Sequence, residues 1–196
     1  RNSEDQLKVA MTFFYTMPGV PFMFYGDEIG LMHNFDAPGI EGGGGRCGAR
    51  IPMLWDSSKN AGFSTAAQEK LYLPQDPDPN RRTVESQNGD ANSLLNYVRD
   101  IIKFRRSSAA LGSLGDWKLV SSLDAPYPMV YERSANGEKW VVVINPSNKK
   151  VTGKIPTYSA GDKNNPAYKP EIKFGSDKSC TYKAGKSEDT ITISPV

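Results

Sequence analysis

The sequence lacks most of the features that would assign it to a specialised class of protein. It has only two cysteines among 196 residues, and neither lies in a spacing that would hold a structural zinc ion. No apolar run approaches the roughly 20 residues that span a bilayer. Neither sign of charge dominates, because 24 basic and 22 acidic residues leave a net charge of +2. These shortages argue against a zinc domain, a membrane-spanning helix and a nucleic-acid partner.

The cysteines and the N-terminus carry two further expectations. Cys47 and Cys180 are far apart in sequence, so two free thiols are expected and one long-range disulfide is the alternative. The first six residues, Arg-Asn-Ser-Glu-Asp-Gln, have neither an initiator methionine nor the apolar core of a signal peptide. We therefore expect a cut or processed end.

The most informative stretch is residues 17–30, Met-Pro-Gly-Val-Pro-Phe-Met-Phe-Tyr-Gly-Asp-Glu-Ile-Gly. Its apolar run at 20–25 shows no alternation with polar residues, which predicts a buried strand covered on both faces, as in a parallel sheet. Polar chemistry begins directly afterwards, at Asp27 and Glu28. In α/β enzymes this end of a strand is where sites lie.

Two helices are predicted around a long irregular segment. The first covers Glu4–Thr16, because Ser3 and Gln6 form a capping box and Pro18 stops the helix. The second covers about 93–106, and its apolar face is expected to pack on the strand at 20–25.

The segment between these elements, 26–92, contains four consecutive glycines and several prolines, so only short regular pieces are expected there. Scattered apolar residues indicate that it is pinned down and ordered. After residue 111 the pattern becomes β-rich, and Asn136-Gly137 is the strongest hairpin signal. Six short strands are predicted, at 117–120, 129–133, 140–144, 151–155, 172–174 and 190–193.

Three stretches of the chain resemble the α-amylase superfamily of glycoside hydrolases, and they follow one another in the same order as in that family. Residues 17–30 look like the eighth strand of its barrel, and residues 93–105 resemble the last barrel helix. The block Arg-Ile-Pro-Met-Leu-Trp-Asp at 50–56 is similar to the Arg-Thr-Pro-Met-Gln-Trp block of α-glucosidases, oligo-1,6-glucosidases and trehalose synthases. It departs at Ile51, where threonine is usual, and at Leu54, where glutamine is usual.

The resemblance implies a fold that combines α/β and all-β parts. Residues 1–109 would be the C-terminal part of a TIM (β/α)8 barrel, with helix 7, strand 8, a long loop and helix 8. Residues 110–196 would form an antiparallel β-sandwich that lacks its last strand. The family's three catalytic carboxylates belong to strands four, five and seven. The chain is therefore expected to be a C-terminal fragment that lacks them and is inactive alone.

The activity implied for the full-length enzyme is hydrolysis or transfer, with retention, of α-glucosidic bonds in starch-like oligosaccharides. A trehalose synthase-type isomerase and a non-catalytic carbohydrate-binding or structural β module are the alternatives. The implied partners are an α-glucan oligosaccharide and the missing barrel segment of the same protein. No cofactor and no metal site are expected in this chain, although calcium is possible in the full-length enzyme. A periplasmic or extracellular location would suit such an enzyme.

Three residues are predicted to bind substrate: Tyr25, Glu28 and Arg50. The Arg50 guanidinium can fork onto sugar hydroxyls or a carboxylate, and a salt bridge that holds the loop is its alternative role. Tyr25 either reaches the sugar or packs as an ordinary aromatic. Asp27 and Glu28 are neighbours whose side chains point to opposite faces, so they are better explained as holding the loop than as a catalytic pair.

Several other residues have a structural explanation, either beside or instead of a role in binding. Trp55 and Phe63 form either a sugar-stacking platform or an anchor for the long loop. The sole histidine, His33, is interpreted as a loop residue. The glycines at 42–45 lack the ending of a phosphate-binding loop and are interpreted as a flexible hinge. Three aspartates are interpreted as solvated loop carboxylates rather than calcium ligands: Asp76, Asp78 and Asp90.

Overall fold

The computed structural model describes residues 3–124, 127–156, 180–183 and 188–195. The chain divides into two compact units. The β-rich unit comprises Arg1–Pro21 and Ile101–Val196, and the loop unit comprises Phe22–Asp100. The helices are α1 (Glu4–Thr16), α2 (Val84–Asn88) and α3 (Leu94–Ser107). The strands are β1 (Asp116–Leu119), β2 (Met129–Ala135), β3 (Glu138–Ile144), β4 (Val151–Pro156), β5 (Cys180–Lys183) and β6 (Glu188–Ile193).

Helix α1 begins as its sequence predicts. The Ser3 hydroxyl accepts a hydrogen bond from the Gln6 backbone N–H at 3.1 Å, and the Gln6 side chain accepts one from the Ser3 N–H at 3.2 Å. The helix ends at Thr16, and Met17 is already extended before Pro18. The capping box and the boundaries of α1 are therefore confirmed.

The C-terminus of α1 has no basic residue of its own in the last turn, and two distant arginines bind its carbonyl groups. Arg105 donates to the carbonyls of Tyr15 and Met17 at 2.6 and 2.8 Å. The buried Arg133 donates to the carbonyl of Thr16. These bonds satisfy carbonyl groups that a helix end leaves without partners.

The strands form two antiparallel sheets, ordered β1-β2-β3 and β4-β6-β5. Asn136 and Gly137 connect β2 to β3 with φ angles of 52° and 79°, the left-handed geometry of a tight hairpin turn, so this prediction is confirmed. An apolar cluster of Val130, Ile155 and Ile191 joins the two sheets. β5 is a strand that the sequence did not indicate, and the strand predicted at 172–174 lies outside the described residues.

The prediction of a buried strand at 20–25 is wrong. Neither of the two sheets includes this stretch. Its apolar side chains face solvent, with Val20 70% and Phe22 88% exposed. A strand needs neighbours to pair with its backbone, and an apolar run alone does not supply them.

The expected packing of the second helix on this stretch is also wrong. Helix α3 itself begins within one residue of its prediction. Its Leu95 instead joins a buried cluster with side chains of the loop unit, namely Ile29, Met53, Leu54 and Ala61. The long loop has thus taken the place of the strand as the helix's partner, and it contains only short regular pieces, as expected.

Glu138 gives the β-rich unit a pH-dependent contact. Its carboxylate accepts hydrogen bonds from the Ala110 N–H at 3.0 Å and from the Trp140 indole N–H at 2.8 Å. Burial raises the pKa of Glu138, but the hydrogen bonds outweigh burial and hold the pKa below its ordinary value of 4.5. A depressed carboxyl pKa contributes stability that is present above the unfolded pKa and is lost as the pH falls through the folded one.

We therefore predict that Glu138→Gln lowers the thermal stability of the chain at neutral pH and that this difference shrinks to nothing in acid. Melting temperatures between about pH 3 and about pH 7 would test this prediction. Glu69→Gln is the matched control, since it neutralises an exposed carboxylate on another turn. A Glu138→Gln deficit that did not change with pH would contradict the assigned role.

Candidate functional site

The site lies in the loop unit and starts at a tight turn after the apolar stretch. Gly26 and Gly30 have φ angles of 91° and 67°, and they flank a single helical turn at Asp27–Ile29. Asp27 accepts a hydrogen bond from the Phe24 N–H at 3.1 Å, and Glu28 accepts one from the Gly26 N–H at 2.7 Å. Both carboxylates thus hold their own turn, as the sequence interpretation expected.

A solvent-open cleft of about 370 Å³ lies beside this turn. Its lining residues are Tyr25, Glu28, Met53, Trp55 and Phe63. The three aromatic rings remain partly accessible, with Tyr25 42%, Trp55 50% and Phe63 48% exposed. The cleft therefore has mostly apolar walls and one carboxylate.

Tyr25 has a fixed hydroxyl. It donates to the Ile51 carbonyl at 3.1 Å, which joins the turn to the segment after the glycine run. Burial raises the pKa of Tyr25 above its ordinary 10.0, and the nearby charge of Arg50 offsets this only in part. The hydroxyl is consequently protonated at neutral pH and keeps its hydrogen bond to the Ile51 carbonyl.

Arg50 is close enough to act electrostatically on Tyr25, but it is not one of the residues that line the cleft. It follows the helical turn Gly44–Ala49, and its backbone N–H donates to the Cys47 carbonyl at 3.0 Å. Its side chain is exposed, and in the described part of the chain no carboxylate forms a salt bridge with it. The guanidinium is thus available to a ligand.

Trp55 and Phe63 form two walls of the cleft and are fixed by one short turn. The Trp55 N–H donates to the Ala61 carbonyl at 2.8 Å, and the Phe63 N–H donates to the Asn60 carbonyl at 3.0 Å. Both rings still expose about half of their surface. The same two residues that anchor the loop by their backbone thus present their rings to solvent.

Beneath the cleft lies a core that explains two departures from the family motif. Leu54 is fully buried in the cluster that contains Met53 and Leu95. Ile51 is also fully buried. Apolar side chains suit these positions because a buried amide or hydroxyl would need a hydrogen-bond partner there.

Buried amide side chains hold the loop unit, and sequence reasoning missed them. Gln75 donates to the Asn60 carbonyl at 2.6 Å. Gln87 donates to the Ile29 carbonyl at 2.9 Å and accepts from the Leu95 N–H at 3.0 Å. No signal in the sequence could have drawn attention to them, because a glutamine among polar neighbours has no distinctive pattern.

His33, Asp76 and Asp90 each contact residues that are close to them in the sequence. His33 lies in a loop with its ring centroid 4.5 Å from that of Phe35. Asp76 is buried, and its carboxylate accepts a hydrogen bond from the Asp78 N–H at 2.9 Å, so its interpretation as a solvated carboxylate is wrong. Asp90 accepts from the Asn92 N–H at 2.8 Å. Within the described ranges, no group of three potential ligands could hold a metal ion.

Three further expectations concern the cysteines, the glycine run and membrane-spanning helices. Cys47 and Cys180 are not joined by a disulfide, as expected. In the glycine run, the exposed Arg46 donates to the carbonyls of Gly42 and Gly43, and the hinge role of this run stays a prediction. A search of the described residues finds no helix that is long and apolar enough to cross a membrane.

Comparison with known structures supports the fold. The trehalulose synthase MutB from Pseudomonas mesoacidophila MX-45 matches with a TM-score of 0.67 and 23% identity, over 98% of this chain and 37% of that one. The alpha-amylase from H. orenii matches with a TM-score of 0.64 and 21% identity, over 98% of this chain and 34% of that one. Both likenesses concern the fold alone.

Comparison with curated sequences gives nearer relatives. The trehalose synthase/amylase TreS of Mycobacterium tuberculosis is 34% identical over 151 residues, which are 75% of this chain and 24% of the relative. The oligo-1,6-glucosidase of Parageobacillus thermoglucosidasius is 27% identical over 183 residues, or 79% of this chain and 32% of the relative. The chain thus spans about a quarter to a third of the length of these relatives.

The family assignment comes from the half of the chain that contains the cleft. The model of the alpha amylase catalytic domain matches residues 1–113, more than half of the sequence. This range includes every residue that lines the cleft. The chain therefore belongs to the alpha-amylase family.

Proposed function

We propose that the chain is the C-terminal part of a retaining enzyme that hydrolyses or transfers α-glucosidic bonds of starch-like oligosaccharides. We also propose that its cleft binds a glucosyl unit of the substrate. The observation that carries this proposal is the grouping of Tyr25, Glu28, Trp55 and Phe63 around one open cleft in a chain of this family. The related trehalose synthases and oligo-1,6-glucosidases support the same substrate class.

The cleft has the chemistry that a sugar ring requires. A pyranose has apolar C–H faces, which pack on aromatic rings, and hydroxyl groups, which need directed hydrogen bonds. Trp55 and Phe63 offer the rings. Small-molecule sites commonly combine such walls with a few polar groups in a volume of roughly 300 to 1,000 Å³, and this cleft has about 370 Å³.

Polar groups at the rim can orient the sugar. One oxygen of Glu28 is held by the Gly26 N–H, so the other can accept a hydroxyl. The exposed Arg50 guanidinium can donate to sugar hydroxyls, and the Tyr25 oxygen, whose own proton is donated to the Ile51 carbonyl, can accept from one. In this arrangement the three predicted substrate-binding residues bind and orient the ligand, and none of them attacks it.

Retaining hydrolysis needs two carboxyl groups about 5 Å apart across the bond, one as nucleophile and one as acid and base. The cleft has one carboxylate, Glu28, and that one already binds the backbone. We propose that the catalytic pair comes from the missing barrel segment. In that arrangement residues 1–109 complete a (β/α)8 barrel and residues 110–196 form a β-sandwich.

The exposed stretch at 20–25 provides a surface for that segment. Its large apolar side chains at Val20, Phe22 and Phe24 face solvent in the described structure. A partner segment with apolar side chains would cover them. A calcium ion in the full-length enzyme and an extracellular or periplasmic location stay predictions.

A second candidate outcome is isomerisation. Relatives at 34% and 33% identity are trehalose synthases. Such a reaction follows if a released glucose, rather than water, attacks the glycosyl intermediate while the site is closed. Product analysis of the complete enzyme on maltose separates the two outcomes, since hydrolysis gives glucose and isomerisation gives trehalose.

The first prediction that follows from the proposed function concerns the aromatic wall of the cleft. Trp55→Leu should weaken the binding of maltose to the chain by about fivefold, because the loss of one ring contact is worth on the order of 1 kcal/mol. Isothermal titration measures the affinity. Trp117→Leu is the matched control, because Trp117 is a partly exposed tryptophan of the β-rich unit. If the Trp117 variant lost binding and the Trp55 variant kept it, the β module would be the sugar-binding part.

A second prediction concerns Arg50. Arg50→Ala should weaken maltose binding and leave the melting temperature unchanged, because no described ion pair is lost. Arg46→Ala is the control, since that exposed guanidinium is already bound to two loop carbonyls. Equal affinity of the Arg50 variant and the unmodified chain would remove Arg50 from the site. In the complete enzyme, the same change should lower turnover.

The third prediction is that the chain has no glycosidase activity by itself, because its cleft holds one carboxylate and the reaction needs two. Release of nitrophenol from a chromogenic α-glucoside measures this directly. The complete enzyme is the positive control. Any turnover by the pure chain would contradict the prediction, and turnover that persisted in Glu28→Gln would point to a reacting group other than Glu28.

A further inference from the structure

The turn between the two cleft aromatics has an unusual backbone. Three consecutive residues, Asn60, Ala61 and Gly62, have positive φ angles of 51°, 51° and 70°. For a residue with a side chain, this left-handed conformation costs roughly 1 to 2 kcal/mol. Such a turn persists only where its surroundings compensate for the cost.

Backbone hydrogen bonds connect the turn to the residues that precede it. Ala61 donates to the Ser58 carbonyl at 2.9 Å. Its own carbonyl accepts from the N–H of Trp55 at 2.8 Å and from that of Asp56 at 3.3 Å. Ala61 is fully buried in the core under the cleft. The middle residue of the turn is therefore joined to the wall that Trp55 forms.

Side-chain hydrogen bonds hold the turn from the other side. The buried Asn60 donates from its amide to the carbonyls of Ser64 and Ala66 at 2.8 and 2.9 Å. The Asn60 carbonyl accepts from the Phe63 N–H and from the side chain of Gln75, the latter at 2.6 Å. Gln75 is itself buried, so its amide has few alternative partners.

Gly62 completes the turn because no larger residue fits there. A Cβ atom at this position would lie 2.5 Å from an Asp56 carboxylate oxygen. That carboxylate is fixed in place, since Ser58 donates to it from both its N–H and its hydroxyl at 2.8 and 2.5 Å. The same hydrogen bonds lower the pKa of Asp56, so the group is charged at neutral pH.

We propose that this left-handed turn, residues 60–62 braced by Gln75, sets the separation between the Trp55 and Phe63 rings and so determines which α-glucosides fit the cleft. Gln75 and Asn60 are positioning residues, because they act through the aromatic walls and do not touch the sugar. The inference rests on the proposed function of the cleft as a glucosyl-binding site. It adds the element that fixes the cleft's width.

The test compares two glycine substitutions with nearly the same backbone cost in the full 196-residue chain. Gly62→Ala meets the Asp56 carboxylate at a φ of 70°, whereas Gly42→Ala has a φ of 73° and nothing within 4 Å of the new Cβ. Both variants place an alanine at nearly the same positive φ in the same unit, so their backbone strain is nearly equal. Only the first should displace the cleft aromatics.

Two measurements are made on each variant. The indole N–H resonances of the three tryptophans report their surroundings without any ligand, and Trp55→Phe identifies the signal of Trp55. Titration with maltose reports the affinity. Gly62→Ala should shift the Trp55 signal, leave those of Trp117 and Trp140 in place, and weaken maltose binding by roughly tenfold. Gly42→Ala should change neither reading.

Gln75→Met is the milder second variant, used in case Gly62→Ala does not fold. It keeps the length of the side chain and removes the donor to the Asn60 carbonyl, so it should shift the Trp55 signal and weaken binding in the same direction. An unmoved Trp55 signal in both variants would overturn the proposal. So would a shifted signal with unchanged maltose affinity.

The design separates this proposal from the function it rests on. If the unmodified chain bound no maltose, the proposed function of the cleft would fail, and the Trp55 signal would still show whether the turn positions the ring. If the unmodified chain bound maltose and Gly62→Ala and Gly42→Ala lost affinity equally, general strain would explain the loss. The left-handed turn would then have no specific role in the cleft.

Discussion

The loop unit depends on one constraint, which is that backbone groups buried in an irregular segment must find hydrogen-bond partners away from water. A sheet would satisfy them in a regular ladder, but this unit has none among its described residues. Buried amides take over that task. Gln87 joins the Ile29 carbonyl to the Leu95 N–H, and Gln75 joins the Asn60 carbonyl to the proline-rich segment. Removing either amide would leave buried groups unpaired, at a cost of about 1 to 3 kcal/mol each.

The parts of the fold that the sequence predicted are those with local signals. The capping box of α1, the 3.6-residue period of α3 and the Asn136-Gly137 turn each depend on residues a few positions apart, and all three are confirmed. The strand at 20–25 was wrong because strand formation is a non-local property. Its apolar run indicates a tendency to be buried, but nothing within the run indicates which strand it would pair with.

The site, too, was predicted only where its residues lie close together in the sequence. Tyr25 and Glu28 come together in the cleft because both belong to one turn, whose glycine and carboxylates were visible in the sequence. Trp55 and Phe63 were recognised as aromatics, but their backbone attachment to Ala61 and Asn60 was not. That attachment depends on positive φ angles at residues other than glycine, which sequence patterns rarely indicate.

The exposed stretch and the cleft are directly connected in sequence, and this connection links stability to the proposed chemistry. Burying a large apolar side chain contributes roughly 1.5 to 3 kcal/mol, and Val20 and Phe22 still face solvent. Phe22 precedes Tyr25 by three residues, so a segment that covered Phe22 would also come near the cleft. On the proposed function, that segment would also supply the catalytic pair of carboxylates. The same contact that protects the apolar stretch from water would thus complete the site, so folding of the whole enzyme and assembly of its catalytic groups would be one event.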